Sequence, residues 1–194
     1  MRLQLFEFED LSWLPGSIRQ GGTDYLRYFL TATRFYEPVV PLLDDALEQS
    51  GEIEILDLCS GGGGVMGQLS HDLNQYRGRE TKITLSDKFP NINAFEYIKA
   101  KTSVNVDYIA SPVDACSVPI NLKGLRAMFS AVHHFPPETI KSFIRNSADN
   151  NTPIALFDGG DKNLFVMLGI ILFHPIALML CTPFFMPFRW QRLT

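Results

Sequence analysis

The sequence has no excess of positive charge: 17 basic residues stand against 21 acidic ones, a net charge of −4. No run of Lys and Arg stands out, so a general electrostatic attraction to nucleic acid is excluded. Cysteine is scarce. Cys59, Cys116 and Cys181 are far apart and odd in number, which argues against a disulfide framework and suits a reducing compartment. No C-x-x-C pair or His/Cys cluster has zinc spacing, so no structural metal is expected. The start, MRLQLFEFED, lacks the basic end and continuous apolar core of a signal peptide. The cytoplasm is the expected location. Internal repeats and low-complexity stretches are also missing.

What is present is an alternation of short apolar runs with longer amphipathic stretches, the pattern of a parallel sheet covered by helices. Strands are expected at Ile53–Leu58, Lys82–Ser86, Val106–Ile109, Leu125–Ser130 and Ile154–Phe157. Helices are expected at Val65–Leu73 and Ile92–Lys101, and after Pro136 and Pro137, since proline is tolerated at a helix start. Upstream, Asp24–Phe35 and Pro38–Leu47 show apolar recurrence at three and four. The fold class is therefore α/β, a Rossmann-like three-layer sandwich with a mainly parallel sheet of at least five strands. Length allows one domain: residues 1–50 as a helical cap, 51–160 as a core, and 161–194 as an apolar segment.

That last segment has no charged side chain from Leu164 to Phe188. Its length would suffice for a bilayer span, but Pro175, Pro183 and Pro187 interrupt continuous helix. Two expectations stay open. It is buried or lid structure, or it contacts a membrane, which would make the chain peripheral or anchored at an inner membrane.

The first expected strand runs into DLCSGGGG, Asp57–Gly64. Glycines after a strand let backbone N–H groups approach a ligand closely. Gly62, Gly64 and Gly67 fit the G-x-G-x-x-G dinucleotide pattern, which permits an NAD(P)-dependent oxidoreductase. Asp57, however, precedes the glycines. Its carboxylate would repel a pyrophosphate and suits a ligand carrying an ammonium group. Asp87 follows the second strand, where an acid commonly accepts hydrogen bonds from ribose hydroxyls, and Phe89 could lie on an adenine face. His133 and His134 follow the fourth strand, where ligands of open α/β sheets bind. Either could take a proton from an acceptor oxygen or nitrogen, or line the pocket. Tyr25, Arg27 and Tyr36 are lid candidates.

The order DLCSGGGG, LSDKFPN, PVDACSVP and MFSAVHHFPP resembles the class I S-adenosylmethionine-dependent methyltransferases, from about Ile53 to Phe157. It looks closest to a bacterial branch in which FEFEDLSWLP and TDYLRYF also occur and whose tail is apolar. The resemblance implies S-adenosylmethionine as cofactor, held at Asp57, Cys59, Ser60, Gly61, Gly63, Asp87, Lys88, Phe89, Asp114, Ala115 and Ser130. Asp57 with Gly61 and Gly63 would hold the methionyl part, Asp87 the ribose, and Asp114 with Ala115 the adenine amino group. Cys59 departs from the family, standing where many members have the first glycine. The implied partner is a small or lipid-like methyl acceptor. The family's sheet has seven strands, the last two an antiparallel hairpin. After Asp158 only 36 residues remain, so that hairpin is expected to be absent or incomplete. A non-catalytic cofactor-binding or membrane-associated accessory domain is the alternative.

Overall fold

The computed structural model describes Trp13, residues 15–102 and 105–159, and, in the C-terminal segment, Gly169, 172–173, 176–177 and 180–187. Most of the segment expected to be lid or membrane contact, and of FEFEDLSWLP, lies outside the described residues.

Five parallel strands form one sheet: β1 (Glu54–Leu58), β2 (Lys82–Leu85), β3 (Val106–Tyr108), β4 (Leu125–Phe129) and β5 (Ile154–Phe157). Their order is β3-β2-β1-β4-β5. The Rossmann-like α/β class is thus present, and no antiparallel hairpin occurs among the described residues. The central strands are buried on both faces, so they read as continuous apolar runs. Ile55 of β1 packs on one side, where α2 (Val40–Ser50), α3 (Met66–Arg77) and α4 (Ile92–Lys101) contribute Leu43, Leu69 and Phe95. Leu56 and Leu58 pack on the other, with Met128 and with Phe143 of α5 (Pro137–Asp149). Helix ends follow local chemistry. Asn91 Oδ1 accepts from Ala94 N at 3.4 Å to start α4, and Gly51 and Gly78 end α2 and α3 with φ of +70° and +67°.

Helix α1 (Gly16–Ala32) begins eight positions before the expected Asp24 and runs straight through Gly21-Gly22. Glycine weakens a helix but does not forbid it when one face is anchored, and Asp24, Tyr25, Arg27 and Leu30 are all buried. A Cβ at Gly21 would meet nothing within 4 Å. Gly21→Ala is therefore expected to stabilise the chain by about 0.5–1 kcal/mol, raising the melting midpoint by about 2–4 °C. An unchanged or lower midpoint in a circular-dichroism melt would contradict a helical Gly21 in solution. No helix among the described residues is long and apolar enough to cross a membrane.

Candidate functional site

The chain leaves β1 toward β2 and β3 on one side, then returns past β1 to build β4 and β5 on the other. The crevice between the carboxyl ends of β1 and β4 is consequently a topological switch point, where ligands of open α/β sheets bind. Both strand ends there carry non-glycine residues in the left-handed region: Cys59 at φ +58° and Ser130 at φ +49°. Each conformation costs about 1–2 kcal/mol and persists only where its surroundings enforce it. Ser130 is fixed by a 2.6 Å hydrogen bond between its Oγ and the Tyr36 hydroxyl, and its N–H donates to the Phe157 carbonyl.

Asp57 is the penultimate residue of β1 at 3% exposure, and its Oδ2 accepts from Ser60 Oγ at 2.6 Å. Burial pushes its carboxyl up to about 7; the Ser60 hydroxyl pulls it down in part, and the nearby Asp87 charge adds to the rise. Asp87 is committed to the loops. Its Oδ2 accepts from Gly61 N and its Oδ1 from Phe89 N, each at 2.7 Å, so one carboxylate ties the β1 loop to the β2 loop.

The glycines divide their duties. A Cβ at Gly62 would sit 2.8 Å from the Thr23 carbonyl oxygen of α1, and one at Gly63 would sit 1.9 Å from Ile98 Cδ1 of α4. Part of the glycine run therefore admits neighbouring helices rather than a ligand.

Above this floor lies a cavity of about 380 Å³, roofed by α1. Asp57, Cys59, Ser60, Gly61, Asp87, Lys88, Phe89, Ser130 and His134 line it. Four of the expected site residues do not. Gly63 packs on Ile98, and Ala115 belongs to the core beneath α5. Asp114 is exposed, accepting from Cys116 N at 2.9 Å and pairing with Lys88 Nζ at 3.4 Å. His133 stacks beside His134, ring centroids 4.4 Å apart, with its Nδ1 2.8 Å from Asp158 Oδ1 at the end of β5.

Among the lid candidates, Arg27 lines the cavity, Tyr36 braces Ser130, and Tyr25 is buried against Phe185. Sequence reasoning missed Arg19, Gln20 and Thr23, which also face the cavity. Together with Leu26, Arg27 and Leu30 they make a stripe at helical spacing, a signal cut off by starting the helix at Asp24. Arg19 lays its guanidinium 4.0 Å from the Phe89 ring centroid. Asp158 and Asn91 were missed as well, and no local pattern marks either. Among the described residues no group of three or more His, Cys, Asp or Glu could hold a metal ion.

Chemically, the cavity offers the carboxyls of Asp57 and Asp87, the cationic side chains of Arg19, Arg27 and Lys88, backbone N–H groups of a glycine loop, an aromatic face and a histidine. The buried Asp57 carboxyl at its floor suits a cationic group there better than a phosphate.

No protein-family profile matches the chain, and no curated protein matches it. Among solved structures, a candidate methyl transferase from Burkholderia thailandensis, crystallised with S-adenosyl-homocysteine, is 15% identical with a TM-score of 0.35. The match covers 61% of this chain and 26% of that one, so this chain spans about a quarter of its length.

Proposed function

We propose that the chain is an S-adenosylmethionine-dependent methyltransferase acting on a small or lipid-like acceptor. The observation that carries this reading is the buried Asp57 carboxyl on the cavity floor, where β1 opens into the glycine loop. A carboxylate there attracts an ammonium and disfavours a pyrophosphate. Bound in the cavity, S-adenosylmethionine would supply an electrophilic methyl group on a sulfonium.

The residues fit that group in most respects. Asp57 and the Gly61 backbone would hold the methionyl end. Each Asp87 oxygen already accepts one backbone N–H and keeps a second lone pair for a ribose hydroxyl. Phe89 would stack on adenine with the face opposite Arg19, or with the same face after Arg19 swings away. Asp114 reaches the lining only through its ion pair with Lys88. In this reading α1 acts as the cap, since it roofs the cavity, while α2 of the same 1–50 stretch packs on the sheet, and residues 51–160 hold the cofactor.

Transfer of the methyl group to an acceptor breaks its bond to sulfur as the acceptor's lone pair forms the new one. The enzyme's main contribution is alignment in a water-poor space. Where the acceptor must lose a proton, His134 is the cavity-facing base, and the Asp158–His133 pair braces its ring.

Titration calorimetry with S-adenosylmethionine, S-adenosylhomocysteine and NADH tests the reading: the two sulfur ligands should bind and NADH should not. NADH binding alone would sink it. The pH dependence is a second check. A cationic ligand needs Asp57 ionised, and in the free protein this carboxyl titrates at about 7. Affinity is expected to rise more than about tenfold between about pH 5 and pH 7, then level off. A flat profile would remove Asp57 from the contact.

A further inference from the structure

Among its described residues, the C-terminal segment is fastened to α1 around Phe185 and presents several large apolar side chains. Phe185 is 1% exposed, its ring 5.5 Å from that of Tyr25 and 5.3 Å from that of Tyr28. Arg27 adds a hydrogen bond to the Met186 carbonyl. On its N-terminal side the described large apolar side chains turn outward. Leu172, Phe173, Ile176 and Leu180 are helical and 64%, 63%, 52% and 69% exposed, and Phe184 is 62% exposed. Helix α1 continues the face: Phe29 stacks on Tyr25 and is itself 44% exposed. Isolated exposed apolar residues are ordinary on a protein, but a connected set of large ones marks a surface that something covers.

Charge says what covers it. Residues 161–194 carry Lys162, Arg189 and Arg192 against Asp161 alone, a net +2 on a chain whose net charge is −4. The remainder therefore holds a net −6, and cations stand on both sides of the uncharged stretch 164–188. Trp190 sits between the two arginines. An apolar stretch bounded by cations and an indole is the composition of a segment lying at a membrane interface, with hydrocarbon under the apolar side chains and anionic headgroups against the cations. No helix among the described residues is long and apolar enough to cross a bilayer.

We infer that the face formed by α1 and the C-terminal segment docks on the interface of an anionic lipid bilayer. This does not depend on the methyltransferase reading, because neither the cavity nor its ligand enters the argument.

The test is co-sedimentation of the full chain with phosphatidylcholine vesicles, with and without phosphatidylglycerol. The chain is expected to bind the anionic vesicles, more weakly at high salt, and to bind pure phosphatidylcholine less well. Ile176→Asp combined with Leu180→Asp should lower the partition coefficient more than about tenfold. Both sites are exposed, so the melting midpoint should stay the same. Arg189→Glu with Arg192→Glu should abolish the preference for anionic lipid while leaving the circular-dichroism spectrum unchanged. Failure to bind either vesicle would overturn the inference, as would equal binding by the double aspartate variant. A concentration-dependent dimer that Ile176→Asp and Leu180→Asp dissolve, without vesicle binding by the parent, would assign the face to a second copy instead.

Discussion

Asp57→Asn is expected to yield a chain that is more stable at neutral pH and unable to hold a cationic ligand. Both effects come from one buried group. In the unfolded chain an aspartate titrates near 3.8, while in the fold this one is pushed up to about 7. A carboxyl raised in this way binds its proton more tightly in the native state than in the unfolded one. Native stability therefore falls as pH climbs from about 4 to about 7 and stays low above that. At about 1.4 kcal/mol for each tenfold difference in proton affinity, the loss at pH 8 is on the order of 4 kcal/mol. Asparagine keeps an acceptor for the Ser60 hydroxyl and carries no charge, so it avoids that loss. Removing one partner of a buried charge pair costs about 2–5 kcal/mol of binding, so S-adenosylmethionine should bind at least about thirtyfold more weakly. Denaturant melts at pH 5 and pH 8, with calorimetry on the same samples, read both effects. A variant less stable than the parent at pH 8, or one that binds as well, would contradict this account of Asp57. Such a residue, costly to the fold and kept on a cavity floor, is the profile of a group retained for ligand binding.

Gly62→Ala should act on the cap rather than on the sheet. Its Cβ would lie 2.8 Å from the Thr23 carbonyl oxygen and 2.9 Å from the carbonyl carbon, so backbone meets backbone and no side-chain rotation relieves it. Helix α1 must withdraw, and with it Arg19, Gln20, Thr23, Leu26, Arg27 and Leu30 leave the cavity lining. Amide hydrogen exchange across residues 16–32 is expected to quicken, and the sheet amides to keep their protection. Affinity for S-adenosylmethionine should fall more than about tenfold, because the roof that excludes water is gone. Gly63→Ala provides the contrast. There the obstacle is the flexible end of Ile98 together with a φ of +85°, so the expected effect is a loss of about 1–3 kcal/mol of global stability with α1 still seated. Unchanged exchange in α1 for Gly62→Ala would show that helix and loop do not touch as described.

The sheet was legible because its central strands are apolar on both faces. Ile53–Leu58 and Leu125–Ser130 read as strands from composition, and β1 and β4 fall within them. Even so, nothing in LRAMF announces that Arg126 is fully buried with only Asn146 and Ser147 taking its Nη1 hydrogens. Helix α1 was truncated because two adjacent glycines look like a break, while the buried stripe that overrides them is formed only in three dimensions. Site residues divided the same way. Those within the loops that follow β1 and β2 could be read from spacing. Asp158 could not, because it meets His133 across 25 positions through the pairing of β4 with β5. Asp87 shows a further limit: its position was readable, but its two bonds to backbone N–H groups depend on how closely the loops approach.

The pairing of β1 with β4 also fixes an order of events in synthesis. Ile55 lies opposite Leu125, so the innermost strand waits for a partner 70 positions downstream. A nascent chain emerging from the ribosome can join β1 to β2 and β3 early, leaving the other edge of β1 open. Asp57 then remains hydrated, and its carboxyl ordinary, until β4 arrives to seal it. Chains arrested before residue 125 should accordingly bind holding chaperones and resist compaction, while chains extended past β4 should become protease-resistant in one step. The floor of the cavity is thus among the last parts of the molecule to exist.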